Sequence, residues 1–393
     1  MSDFSRRAVK AALLLAAGVL GTAAWFPGQP TASATGPAHP TGAAHPTGAA
    51  CTESVPFTAR TEGYRGFRIP AVVDAGGVLV AFAEGRKESL ADDGNIDVVA
   101  RRSEDGGCTW GPLLRVADAG RDTIGNPAPV VDPATGRLTL LTCRNEHGVM
   151  GHRRVFVQHS DDAGRTFSAP REITAQVKPE HWNWYGTGPG HAIALRHGPV
   201  PGRLLVPGHH SYRTPSGTYR SGAHSLYSDD GGATWRIGYT AQPDGDALRL
   251  SENTFAELPD GRVYTNVRDQ EGTAPGHRAD THLAPGGARL LAPYRPQPAL
   301  AGPVVQGSTL WADPYLLYSG PADQEAREAL TLRVSDDGGR TWRSGPRLTS
   351  GPSAYSDLVR LDGGAVGVLH ERGQASPYET LTFTRVPLAS LAP

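Results

Sequence analysis

The sequence predicts an all-β fold, a six-bladed β-propeller, from three observations. A turn motif S-x-D-x-G-x-T-[WF] occurs as SEDGGCTW from Ser103, SDDAGRTF from Ser160, SDDGGATW from Ser228 and SDDGGRTW from Ser335. Each copy follows a strand-like run (IDVVARR, RRVFVQH, HSLY, ALTLRV) and precedes another short one, so each reads as a hairpin turn. The 49 Gly and 33 Pro punctuate the chain too often for long helices. Repeated β-units of this kind stack radially as blades. The motifs start 57, 68 and 107 residues apart, and the last gap leaves room for a unit whose turn has drifted from the pattern. Residues 51–393 would supply six four-stranded blades.

From the N-terminus, Arg6, Arg7 and Lys10 form a basic region before AALLLAAGVLGTAAW. That run is shorter than the roughly 20 residues that span a bilayer. With ASA at Ala32–Ala34 as a cleavage site, residues 1–34 read as a signal peptide, and SRRAVK is a loose twin-arginine match. Residues 35–50 repeat HPTGAA and read as a flexible linker. The mature protein is then expected to be secreted, with no membrane segment. A net charge of -1 gives no sign of a nucleic-acid or anionic-membrane partner. A monomer is expected.

An exported chain with three cysteines suggests one disulfide and one free thiol. Cys51 begins the folded part and Cys108 lies in a surface turn, so these two are expected to pair. Cys143, in LTLLTCRN, reads as a buried thiol. In the repeated turns, Asp and Ser/Thr can hold backbone donors, Gly supplies a positive φ, and the aromatic residue is expected to pack under the turn. A calcium loop would need further oxygen ligands and a closing glutamate that these turns lack. No metal site or cofactor is expected.

The four turns are Asp boxes. Preceded by FRIP at Phe67–Pro70, they resemble the bacterial sialidase (exo-α-sialidase, neuraminidase) family over essentially all of 51–393. AEGR, DDGNID, GNPAPVVD, TGPGH, SENTFAELPDGRVYTNVR, REALTL and SAYSDL follow in the family's order. An Asp box alone is weak, since it also occurs in sortilin-type receptors; FRIP with several Asp boxes is specific.

The resemblance implies a carboxylate-binding site. Sialic acid carries a carboxylate on its anomeric carbon, and the planar fork of arginine suits that group. The implied clamp is Arg68, Arg268 and Arg327, which only a ring-like fold would bring together. Glu371 matches the glutamate that orients the first arginine, although His370 stands where the family usually has an aromatic residue. The implied nucleophile is Tyr355. An Asp or Glu there would face the substrate carboxylate, a repulsion of about 4 kcal/mol at ~4 Å and an effective dielectric of about 20. Sialidases with a tyrosine nucleophile are a known exception to the two-carboxylate scheme of glycosidases. A phenol needs a base within reach, and Glu252 matches it, with Glu257 as the competing candidate.

The implied general acid/base is Asp92, with Asp93 beside it as the alternative, in an exposed and mobile loop. Arg86, Asn126 and Gln306 are implied substrate contacts. Trp182, Trp184 and Tyr185 either line the site or pack between blades. The His209–His210 pair has no third metal ligand nearby in sequence.

The expected activity is retaining hydrolysis of terminal N-acylneuraminic acid from sialylated glycoconjugates. An enzyme for the deaminated sugar acid KDN, or a trans-sialidase, would share the clamp and nucleophile. A non-catalytic Asp-box sialic-acid-binding protein would need no Tyr355–Glu252 pair. The chain ends at Pro393, soon after the last expected strand, ETLTFTRV, so no appended carbohydrate-binding domain is expected.

Overall fold

The computed structural model describes residues 51–214, 216–243 and 248–393. The signal peptide and linker expected over residues 1–50 lie outside the described residues. The described chain forms five hydrogen-bonded sheets. The largest, of eight strands, is two blades tied by one parallel bridge, Ile96 to Thr123, so the blades number six.

Blade 1 comprises Gly66–Asp74, Leu79–Arg86, Ile96–Ser103 and Leu114–Ala117. Blade 2 comprises Thr123–Val131, Leu138–Asn145, Arg154–Ser160 and Arg171–Glu172. Blade 3 comprises Trp182–Thr187 with Ile193–Ala194, then Leu204–Arg213, Tyr219–Ser228 and Arg236–Ala241. Blade 4 comprises Leu250–Glu257, Val263–Asp269, Arg278–Leu283 and Arg295–Pro296. Blade 5 comprises Ser308–Ala312, Tyr315–Pro321, Leu330–Ser335 and Arg343–Arg347. Blade 6 comprises Ser353–Leu361, Ala365–Arg372 and Thr380–Pro387.

The fourth strand of blade 6 is the N-terminal segment Glu53–Thr58, which pairs antiparallel with Thr380–Pro387 and closes the ring. A disulfide from Cys51 to Cys108 fastens this closing strand to the first Asp-box turn. Cys143 is a free, buried thiol.

The first strands meet around the axis, where the buried Asp357 carboxylate joins four blades. It accepts the Val72 and His191 N–H groups, the Ser308 hydroxyl and the His191 imidazole Nδ1 at 2.7–2.9 Å. Strands alternate in direction within a blade. The starts of first strands and the ends of second strands therefore share one face. The Asp-box turns, which follow third strands, lie on the other.

The Asp boxes repeat one set of bonds. In blade 2, the Ser160 hydroxyl donates to Asp162 Oδ1, and Asp162 accepts from both the N–H and the hydroxyl of Thr166. Gly164 N–H donates to Ser160 Oγ from a φ of 78° that suits glycine. Trp235 sits against its own turn, its indole N–H donating to Gly232 O at 3.0 Å, whereas the other three aromatic residues pack against the preceding blade. Trp110 meets Phe383, Phe167 meets Phe82, and Trp342 meets Tyr264. Burial between blades removes more of a large ring from water than a surface turn can. Blade 4, within the 107-residue gap, turns through Ala284–Leu291 on backbone bonds such as Ala284 N–H to Arg289 O.

These carboxylates titrate below their ordinary range. At Asp162 the hydroxyl and N–H of Thr166 pull the carboxyl from 3.8 down to about 2. At Asp105, Asp230 and Asp337 burial opposes ionisation, but the equivalent donors outweigh it and hold the carboxyl low. A depressed folded-state pKa gives stability that is present above the unfolded value and lost as pH falls through the folded one. The excess thermal stability of the wild type over Asp162→Asn should therefore be full above about pH 4 and vanish on approach to pH 2. A gap that does not change with pH would show that the turn does not depend on this charge.

Inner strands of five blades share a β-bulge at one level. The register shifts between Arg68 and Ala71, Gly125 and Ala128, Trp182 and Tyr185, Leu250 and Asn253, and Ser353 and Ser356. A bulge leaves residues unpaired and re-aims their side chains. Asn126, Trp184, Glu252 and Tyr355 fall within these bulges, and Arg68 borders one.

Candidate active site

The bulges set side chains from several blades around one point on the axis. Tyr355 from blade 6 donates its phenolic hydrogen to Glu252 Oε1 of blade 4 at 2.6 Å. Arg268, at the end of the neighbouring strand in blade 4, donates from Nη1 to Glu252 Oε2 at 2.9 Å and to the Tyr355 oxygen at 3.2 Å. Burial opposes ionisation of Glu252, but Arg268, His209 and the Tyr355 hydroxyl outweigh it and hold its carboxyl low. Burial and the Glu252 carboxylate push the phenol well above its ordinary value, against the pull of Arg268 and Arg68. The resting pair is therefore a neutral phenol bonded to an anionic base.

Arg68 is 8% exposed. Its Nε donates to Glu371 Oε1 at 3.0 Å and its Nη2 to Oε2 at 3.4 Å. Burial disfavours the guanidinium, yet Glu371 outweighs it and keeps the arginine firmly charged. Glu371 also accepts the Ile69 and Tyr355 N–H groups, so one carboxylate secures the bulges of blades 1 and 6. That anchoring matters at Ile69, a β-branched residue held at φ 58°, a strain on the order of 1–3 kcal/mol. His370 is buried on the other face of its strand, and burial pushes its imidazole down to about 3. It is therefore neutral and adds no charge beside Glu371.

The Arg68 guanidinium lies 4.3 Å from the Tyr378 ring centroid and 5.2 Å from that of Tyr355. Arg327 reaches the same ring from blade 5, donating to the Tyr378 hydroxyl at 2.8 Å and to Val304 O at 3.2 Å. It meets no carboxylate among the described residues, which leaves its charge for an incoming anion. Arg68, Arg268 and Arg327 thus surround Tyr355 from three blades. Nothing in SPYETL marked Tyr378 as a shared wall for two of them.

Asp92 Oδ1 lies 2.8 Å from Arg86 Nη2 and 3.9 Å from Arg68 Nη1, with its side chain 55% exposed. Burial raises its carboxyl, but Arg86, Arg68 and Arg153 outweigh this and hold it low. Asp93 makes no comparable approach to the arginines. Its carbonyl accepts the Gly148 N–H at 2.8 Å. The loop is exposed as expected, but its backbone is tied down. Arg86 is buried against Glu84, which also accepts the Asn126 N–H at 2.8 Å.

Gln306 corrects the expected substrate contact. It is 2% exposed, its Nε2 donates to Ser356 O at 3.0 Å, and its Oε1 accepts Ser356 N–H at 3.1 Å. Its amide braces the strand that carries Tyr355. Glu257 lies at the far end of its strand and accepts the Arg196 and His197 N–H groups. Trp182 and Tyr185 are buried between blades 2 and 3, whereas Trp184 is half-buried at the bulge and donates from its indole to His209 Nε2 at 3.1 Å.

The arrangement sets three arginines around a phenol–carboxylate pair, with the exposed Asp92 carboxylate nearby at Arg86 and Arg68. A model described as a BNR repeat-like domain matches residues 77–368. The sialidase of Micromonospora viridifaciens is 32% identical over 346 residues, 81% of this chain and 51% of that protein. The exo-alpha-sialidase of Aspergillus fumigatus is 29% identical over 70% of this chain and 69% of its own length. The chain thus spans about half of the first relative. Among solved structures, the Hadza microbial sialidase Hz136 has a TM-score of 0.73 at 27% identity, over 86% of this chain and 69% of that one. A leech intramolecular trans-sialidase has a TM-score of 0.73 at 17% identity, over 88% of this chain and 71% of that one, a likeness of fold alone. On the match over residues 77–368, the chain belongs to the BNR repeat-like domain family.

Proposed function

We propose that this protein is an exo-α-sialidase that releases terminal α-linked N-acylneuraminic acid from glycoconjugates with net retention. The observation that carries the reading is the 2.6 Å hydrogen bond from Tyr355 to Glu252 inside a ring of three arginines. The sialidase names of its relatives support the same class. In the first step Glu252 takes the phenolic proton as the Tyr355 oxygen attacks the anomeric carbon. Asp92 gives its proton to the departing glycosidic oxygen. In the second step Asp92 takes a proton from water, the water oxygen attacks the same carbon, and Tyr355 leaves and recovers its proton from Glu252.

The free site holds Asp92 ionised, so substrate must change that. A carboxylate on Arg68 competes for one of its cations and adds a like charge nearby, and both raise the carboxyl toward its protonated form. The acid is thus made ready by the anion it serves. The reading also includes export: cleavage after residue 34, a linker to residue 50, and a monomeric catalytic domain over 51–393 acting outside the cell without a cofactor. The Cys51–Cys108 disulfide suits an oxidising compartment.

The test is to follow an aryl α-sialoside by proton NMR during turnover. The free α-anomer should appear first and then mutarotate. No release contradicts the activity, the β-anomer first contradicts retention, and a 2,7-anhydro product points to intramolecular transfer.

A further inference from the structure

We propose that Arg153 is a positioning residue for the general acid/base, holding the Asp92 loop in place from blade 2 so that leaving-group protonation depends on it. The inference rests on the reading of Asp92 given above. Five carbonyls of the loop meet a donor. Leu90 O accepts from Arg86 Nη1, Asp92 O from Arg153 Nη2 at 3.4 Å, and Asp93 O from Gly148 N–H at 2.8 Å. Gly94 O accepts from the Thr123 hydroxyl at 2.6 Å and Asn95 O from Lys87 N–H at 3.0 Å. Arg153, Gly148 and Thr123 all belong to blade 2 or its loops, so the neighbouring blade dictates where this loop of blade 1 sits.

Arg153 is the charged member of that set, and its surroundings are unusual for an arginine. It is 1% exposed. Its Nε donates to Asn145 Oδ1 at 3.0 Å, its Nη1 donates to Asn126 Oδ1, and its guanidinium lies 3.6 Å from the Trp184 ring centroid. It pairs with no carboxylate among the described residues. A buried cation without a counter-ion is costly, and an apolar side chain of similar volume would avoid that cost. What the guanidinium does here that such a side chain could not is join three oxygens with one rigid fork: two amides and the main chain of Asp92. The Trp184 face and the two amides fix the fork, and the fork fixes the carbonyl next to the acid.

The test compares Arg153→Met and Arg153→Lys with Asp92→Ala on two substrates. One is an aryl α-sialoside, whose leaving group needs little protonation; the other is 3′-sialyllactose, whose sugar leaving group does. Arg153→Met should lose on the order of 10²-fold in kcat on 3′-sialyllactose and less than about 10-fold on the aryl substrate. Arg153→Lys, which keeps the cation without the fork, should recover part of the difference. Equal losses on both substrates in the Arg153 variants, with Asp92→Ala still selective, would overturn the inference. Equal losses in Asp92→Ala itself would overturn the acid assignment beneath it. Should Arg153→Met fail to fold, the substrate ratio of Arg153→Lys decides.

Discussion

Tyr355→Phe is expected to lower kcat/KM on an aryl α-sialoside on the order of 10³-fold or more, with little change in thermal stability. The substitution removes one oxygen and leaves the ring that faces the Arg68 guanidinium at 5.2 Å. Glu252 keeps its ion pair with Arg268 at 2.9 Å, so no buried charge is stranded. What disappears is the hydroxyl that bonds both Glu252 and Arg268. Loss of folding together with activity would point to a structural tyrosine. A folded variant that retains most of its activity would remove Tyr355 from the chemistry.

The second large effect is expected at Arg68→Lys. A lysine ammonium keeps the charge but not two parallel N–H groups, and the site uses both functions of the guanidinium. Two of its nitrogens bind Glu371, whose oxygens also hold the Ile69 and Tyr355 amides. The face left over is the one a substrate carboxylate would meet. Weakening a buried, hydrogen-bonded charge pair of this kind costs about 2–4 kcal/mol, a loss of roughly 30- to 1000-fold in kcat/KM. Affinity for a non-hydrolysable sialic-acid analogue should fall with it. Unchanged affinity would place the clamp elsewhere.

The blades were legible because Asp boxes mark a turn by side chains that only that geometry satisfies. Blade 4 was hidden because Ala284–Leu291 turns without the Ser and Asp side chains of the motif, closing on backbone bonds such as Ala284 N–H to Arg289 O. Ring closure by Glu53–Thr58 could not be read, since its partner strand lies at the other end of the chain and short β-segments do not announce their pairings. The arginines, Tyr355 and Glu252 were found through motif order, and the structure adds the reason they converge: bulges at one level turn their side chains inward. Gln306 was misplaced because an amide serves a sugar hydroxyl or a peptide group equally well, and here Ser356 takes it. Tyr378 and Arg153 carried no sequence signal, because each acts on a partner from another strand or blade. Asp92 was legible as a residue but not as part of a braced loop.

The most direct test of the account is to capture the glycosyl-enzyme. A 2,3-difluoro sialic acid bears a good leaving group at the anomeric carbon, and its second fluorine slows the water step. After mixing with the wild-type protein, intact mass should rise by one sugar residue, and peptide mapping should place the adduct on the Tyr355 oxygen, with none in Tyr355→Phe. An adduct on Glu252, or steady turnover of the aryl α-sialoside by a protein that accumulates no adduct, would contradict Tyr355 as the nucleophile.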